Sequence, residues 1–121
     1  MNGDPIDGPA LVLAAAKASV GPQFLPGLVD RVQADLGPRL DEYRRRYELL
    51  HETDDAYVFL VESDHWETLG ERVGLERRHR DAVERAHVEH LRRLGDSLGR
   101  RDEFDTALEI RACVVVGKNV E

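Results

Sequence analysis

The sequence predicts a mainly α domain with a minor two-stranded β element. Three observations carry this. Apolar residues recur at helical spacing through most of the chain. Only two short segments, 57–61 and 113–116, are rich enough in β-branched and aromatic residues to read as strands. Gly-Pro pairs at 8–9, 21–22 and 37–38 cut the helical stretches into separate units.

Residues 1–8 read as a flexible start, followed by a single domain over 9–121. Gly8-Pro9 opens a first helix, since proline suits a first-turn position where its missing N–H costs nothing. Residues 11–20 are Ala-rich and mostly apolar, so this helix is expected to be buried; Gly21-Pro22 ends it. A second helical region begins near 22–26, with Leu25, Leu28, Val29, Val32 and Leu36 on one stripe. Pro38 forces a kink or a new start. Leu40, Tyr43, Tyr47 and Leu50 then continue the stripe, predicting helix to near Glu52. Thr53-Asp54-Asp55 is a turn, and 57–61 is the first strand. Ser63 or Asp64 caps the next helix, with Glu67 placed as in a capping box. Gly74 ends that helix at about Val73 as a left-handed terminus. A long helix follows from about Arg77 to Leu98, its end weakened by Gly95 and Gly99. Residues 102–109 are helical in pattern, and 113–116 form the second strand.

Composition bounds the function. The 121 residues carry a formal charge of −7, with 41% hydrophobic and 34% charged residues, a soluble globular balance. The longest unbroken apolar stretch, residues 10–16, falls far short of the about 20 residues of a membrane helix. No cationic segment precedes a signal-type apolar core, so secretion is not expected. One cysteine, Cys113, rules out an internal disulfide and every multi-cysteine metal site. The charge is uneven: −8 over residues 1–71, +4 over 72–101 and −3 over 102–121. A basic island in an acidic chain is a candidate polyanion footprint. The competing reading is a solvated helix laced with its own ion pairs.

Residues 66–83 carry the strongest pattern. Gly70 supplies a small residue inside one helix where a second must cross closely. Gly74 supplies the turn, flanked by Val73 and Leu75, and Leu69 and Val83 add core contacts. This pattern resembles the helix-turn-helix superfamily, with one departure: the apolar site five residues after Leu75 holds Arg80. The order helix, strand, helix, turn, helix also resembles the opening of a winged helix. There a strand before the motif pairs with strands after it, which 113–116 would supply. The usual two-stranded wing is missing. The resemblance implies that the second helix enters a DNA major groove by its N-terminal end. The implied DNA-binding residues are Arg77, Arg78, His79, Arg80 and Arg85. Arginine suits that task, since its planar fork bonds guanine or phosphate bidentately.

Other chemistry is less well supplied. Glu48…His51 and Glu84…His87 have the spacing found in helical di-iron proteins, but no inward pair of glutamates completes such a site. His87 and His90 lie one helical turn apart, two ligands being too few for structural zinc. His87 lies near the apolar stripe and reads as a buried, hydrogen-bonded histidine. Cys113, among valines, reads as a buried inert thiol. Trp66 reads as a core anchor, and Tyr43 and Tyr47 as a helix stripe. No phosphate loop, nucleophile elbow or zinc-protease motif is present. Neither a metal nor a cofactor is therefore expected.

Fifteen of the seventeen basic residues are arginine, alongside abundant Asp and Glu. In composition and style, from Asp-Gly-Pro-Ala near the start to Leu-Glu-Ile-Arg near the end, the chain resembles small acidic helical proteins of haloarchaea. That resemblance implies a cytoplasmic, salt-adapted protein. The functional expectation is a non-catalytic DNA-binding or transcription-associated helix-turn-helix protein that binds double-stranded DNA as a homodimer. The alternative is a non-catalytic protein-interaction or dimerisation module with a protein partner. No small-molecule substrate and no membrane partner is indicated.

Overall fold

The chain's helices follow its glycines and prolines, and its sheet is enclosed by them. The structure, a computed structural model, describes Ile6, residues 8–18 and residues 20–118. In chain order it contains α1 (Gly8–Ala18), α2 (Leu25–Leu36), a 3-10 turn (Gly37–Arg39), α3 (Leu40–Arg46), β1 (Glu48–Glu52) and β2 (Ala56–Glu62). These are followed by α4 (His65–Val73), α5 (Arg77–Leu98), α6 (Arg101–Leu108) and β3 (Arg111–Gly117). The expected flexible start lies mostly outside the described residues; within it, Ile6 is buried in the core and Gly8 begins α1.

Three local expectations are corrected. The helix after Pro38 stops at Arg46, not near Glu52. Tyr47 is extended (φ −125°, ψ 160°), and the next five residues form β1. The helical phase of Leu50 is overridden by pairing with β2, in a register that sets Glu48 against Leu60 and Glu52 against Tyr57. Thr53 fixes the turn between these strands, its Oγ1 accepting from the N–H groups of Asp55 and Ala56. The β element is thus three-stranded and antiparallel, in the order β1-β2-β3. Asp64 does occupy the N-cap of α4, but its side chain makes no capping hydrogen bond, so the capping box does not form.

The free edge of β3 is closed by side chains. Cys113, Val115 and Gly117 stand opposite Leu60, Val58 and Ala56. Trp66 Nε1 of α4 donates to the Cys113 carbonyl at 3.0 Å. The Val115 N–H donates to His87 Nδ1 of α5 at 2.9 Å. Gln33 of α2 spans two residues, donating to the Val115 carbonyl at 2.7 Å and accepting from the Gly117 N–H at 2.8 Å. Buried backbone groups need partners, and an open strand edge invites foreign pairing. Three helices meet both needs here while packing their apolar faces on the sheet. Trp66, Phe59, Leu69 and Leu91 are fully buried in the resulting core.

The remaining helices pack around α5. The alanines of α1 (Ala10, Ala14 and Ala15) are buried in the core, and Lys17 at its end meets the buried Glu89 at 2.8 Å. At the other end α6 folds back under α5, where Gly95 leaves room for the Phe104 ring and the Arg101 backbone. Among the described residues no helix is long and apolar enough to cross a membrane.

Candidate functional site

The α4–α5 hairpin has the geometry that its glycines imply. Gly74 is left-handed at φ +81°. The Leu75 N–H reaches back to the Gly70 carbonyl at 2.9 Å, and the Gly74 N–H bonds the Glu71 carbonyl at 3.3 Å. Those two bonds define a Schellman terminus, which glycine accommodates without a Cβ penalty. Glu76 then begins the new helix from an extended conformation.

Gly70 is where the two helices touch. A Cβ built there would lie 2.7 Å from Arg80 Cδ and 2.9 Å from its Cγ. This explains the one departure from the motif. The aliphatic stem of Arg80 fills the apolar position, and its guanidinium turns outward to pair with Asp81 at 3.1 Å. Leu69 and Val83 are buried in the core.

The five expected contact residues therefore divide. Arg77, Arg78 and Arg85 are exposed on α5 and have no carboxylate within ion-pairing distance among the described residues. His79 is half-buried, with Nδ1 3.6 Å from Glu76. Arg80 is engaged by Gly70 and Asp81. Arg78 and Arg85, seven residues apart, lie about 20° apart around the helix, and Arg77 about 80° from Arg85. Asp81, about 40° from Arg77, lies within that arc and pairs with Arg80, and Glu84 precedes Arg85 with its pKa raised by burial and secondarily by Asp81.

Most other arginines of the basic segment are neutralised. Arg72 pairs with Asp35, Arg92 with Glu89 and Asp105, Arg100 with Glu103, and Arg101 with Asp96 and Asp105. Arg93 is engaged as well. The Asp35–Arg72 pair belongs to a network between α2, α3 and α4. Arg72 also donates to the Tyr43 hydroxyl at 3.4 Å, and that oxygen lies 2.6 Å from His65 Nε2. Burial raises the Tyr43 pKa, against the pull of Arg72. Burial, aided by Arg72, lowers that of His65. Both shifts favour neutral groups, and the tautomer of the imidazole sets which of the two donates in their hydrogen bond.

The metal and nucleophile candidates are placed apart. Glu48 and His51 lie on β1, not on a helix, and His51 Nδ1 faces Arg100 Nη1 at 3.3 Å. His87 is wholly buried, edge-on to Trp66, and burial pushes its pKa down to about 3. Among the described residues no group of three or more His, Cys, Asp or Glu is placed to hold a metal ion. Cys113 is buried, and burial pushes its thiol up to about 12. Strand β2, before the hairpin, pairs along its length with β3 after it.

Sequence reasoning missed Arg31. It lies on α2 but reaches the hairpin turn, donating from Nη2 to the Val73 carbonyl at 3.1 Å. Forty-two residues separate the two groups, and no local pattern marks the contact.

Residues 4–118 match the model of a family described as "Domain of unknown function (DUF8048)", and the chain belongs to that family. No curated protein and no solved structure matches the chain.

Proposed function

We propose, for this member of the DUF8048 family, a non-catalytic helix-turn-helix module that binds duplex DNA through the N-terminal half of α5 and acts as a homodimer. One observation carries the reading. Arg77, Arg78 and Arg85 stand exposed on the second helix of the hairpin with no carboxylate partner among the described residues, while five other arginines of the segment are held by carboxylates. Arg80 is not among the contacts, because its stem holds the hairpin together.

The test is fluorescence anisotropy of a labelled duplex, titrated with protein from low to high salt. Three phosphate contacts predict a slope of log affinity on log salt of about −2.7 per protomer. That slope is a loss of roughly 40-fold between 50 and 200 mM salt. Each of Arg77→Ala, Arg78→Ala and Arg85→Ala reduces the slope by about 1, and Arg80→Ala leaves it unchanged. Absence of saturable binding in low salt, or a slope indifferent to the triple variant, overturns the reading.

A second reading rests on α1, where Val12 (63% exposed) and Leu13 stand side by side in solvent. It takes the chain as a protein-interaction or dimerisation module, with these residues at the contact. Sedimentation of Val12→Asp against the parent protein decides it: an unchanged mass at all concentrations removes this reading.

A further inference from the structure

Beside the hairpin lies a groove of about 580 Å³ between the start of α2 and the N-terminus of α5. Val20, Phe24 and Leu28 make it apolar. Arg31, Arg78 and His79 line it as well, and among the described residues no carboxylate does. Each feature bears on what fits. The volume lies in the range of small-molecule sites, which are mostly apolar with a few convergent polar groups. Phe24 is 63% exposed, so its ring is available for stacking. Arg78 has no ion-pair partner among the described residues. Among the described residues Arg31 makes a single donation, from Nη2 to the Val73 carbonyl, which leaves its other donors open. Guanidinium groups both pair with carboxylates and stack on aromatic rings. Gly27 opens the wall, since a Cβ there would meet nothing within 4 Å.

We infer that this groove is a binding site for a small aromatic carboxylate, its ring against Phe24 and Leu28 and its carboxylate held by Arg31 and Arg78. Charge complementarity selects the anion, and the apolar lining selects its body. Arg78 also belongs to the proposed DNA-contacting set, so on that reading the ligand and DNA compete for one guanidinium. Each then weakens the other by the same factor, as linkage requires.

The direct test does not involve DNA. Amide spectra of the whole protein are recorded during titration with 2-naphthoate, and with 2-naphthalenemethanol as the uncharged counterpart. Saturable shifts at Gly21, Gly27 and Arg78 are expected, with the alcohol at least about tenfold weaker. Gly27→Leu fills the open space and weakens 2-naphthoate by about tenfold or more, while its spectrum elsewhere reports an intact fold. Arg31→Gln and Arg78→Gln, changes of exposed side chains, each weaken it by about fivefold. No saturation, equal binding of the alcohol, or indifference to Gly27→Leu overturns the inference. The DNA arm is read separately: 2-naphthoate lowers DNA affinity of the parent protein and not of Gly27→Leu. If the parent binds 2-naphthoate but no DNA, the groove stands and the DNA reading falls. If it binds DNA but no 2-naphthoate, the reverse holds.

Discussion

Lowering the pH should unfold this protein through His87 before its carboxylates become the main cause. The imidazole is fully buried, and Nδ1 accepts the Val115 N–H, so the ring is neutral with its proton on Nε2. Among the described residues that nitrogen has no hydrogen-bond partner. A second proton would add charge with no acceptor and turn Nδ1 against the Val115 N–H, which is why burial holds the folded pKa near 3. Unfolding returns it to about 6.5. The unfolded state therefore binds the proton first as pH falls, and stability declines from about pH 6.5 down to about pH 3. At 1.36 kcal/mol per unit, the full difference is roughly 5 kcal/mol, of which about 2 kcal/mol is lost between pH 7.5 and 5. His65 shifts in the same direction, and Glu84, with its raised pKa, in the opposite one. The readout is therefore the difference from His87→Asn, whose amide oxygen replaces Nδ1 as acceptor without titrating. Urea unfolding is followed by Trp66 fluorescence at each pH. His87→Asn should be less stable at pH 7.5, by about 1–3 kcal/mol of lost ring packing, yet lose about 2 kcal/mol less on going to pH 5. Parallel pH profiles for the two proteins would refute the account.

Two further perturbations test the packing. Gly70→Ala forces the Arg80 stem aside and should cost about 1 kcal/mol in urea unfolding, whereas in an Arg80→Ala background the same change gains up to about 1 kcal/mol of helix propensity. Additive effects of the two substitutions would mean that the helices do not meet there. Cys113 should be silent toward a thiol reagent such as 5,5′-dithiobis(2-nitrobenzoate) in the native protein and react fully in urea, since burial removes both access and thiolate; prompt native labelling would contradict its placement.

The helices were legible because glycine and proline act locally. Gly8-Pro9, Gly37-Pro38, Gly74 and Gly99 each mark a boundary within a residue or two of the observed one. β1 was not legible. Tyr47 and Leu50 fall in the helical phase of Leu40 and Tyr43, and the extended conformation of 48–52 comes from pairing with β2. Nor was the closure of β3 legible, because its contacts join Trp66 to Cys113 and Gln33 to Val115 and Gly117 across the chain. His87 read correctly as a buried, hydrogen-bonded histidine, but its partner is a backbone amide 28 residues away that no spacing rule finds.

The hairpin was legible for the same reason as the helices, and even its anomaly carried information. Arg80 at an apolar site is a misfit on hydropathy alone. Opposite Gly70 its stem is long enough to cover the crossing while the charge stays outside. What the sequence hides is which arginines remain available, since that depends on partners brought together by folding. The C-terminal half of α5 packs against α6 at Gly95, and Lys17 of α1 reaches it at Glu89. There Glu89 draws Lys17 and Arg92, and Asp105 and Asp96 draw Arg92 and Arg101. Asp35 of α2 takes Arg72 just before the turn. In the N-terminal half of α5, among the described residues, no carboxylate pairs with Arg77, Arg78 or Arg85. The arginines of the basic segment that have no carboxylate partner among the described residues thus fall within about two turns of one helix, alongside Asp81 and Glu84. On the proposed reading, that is the end by which α5 would enter a major groove.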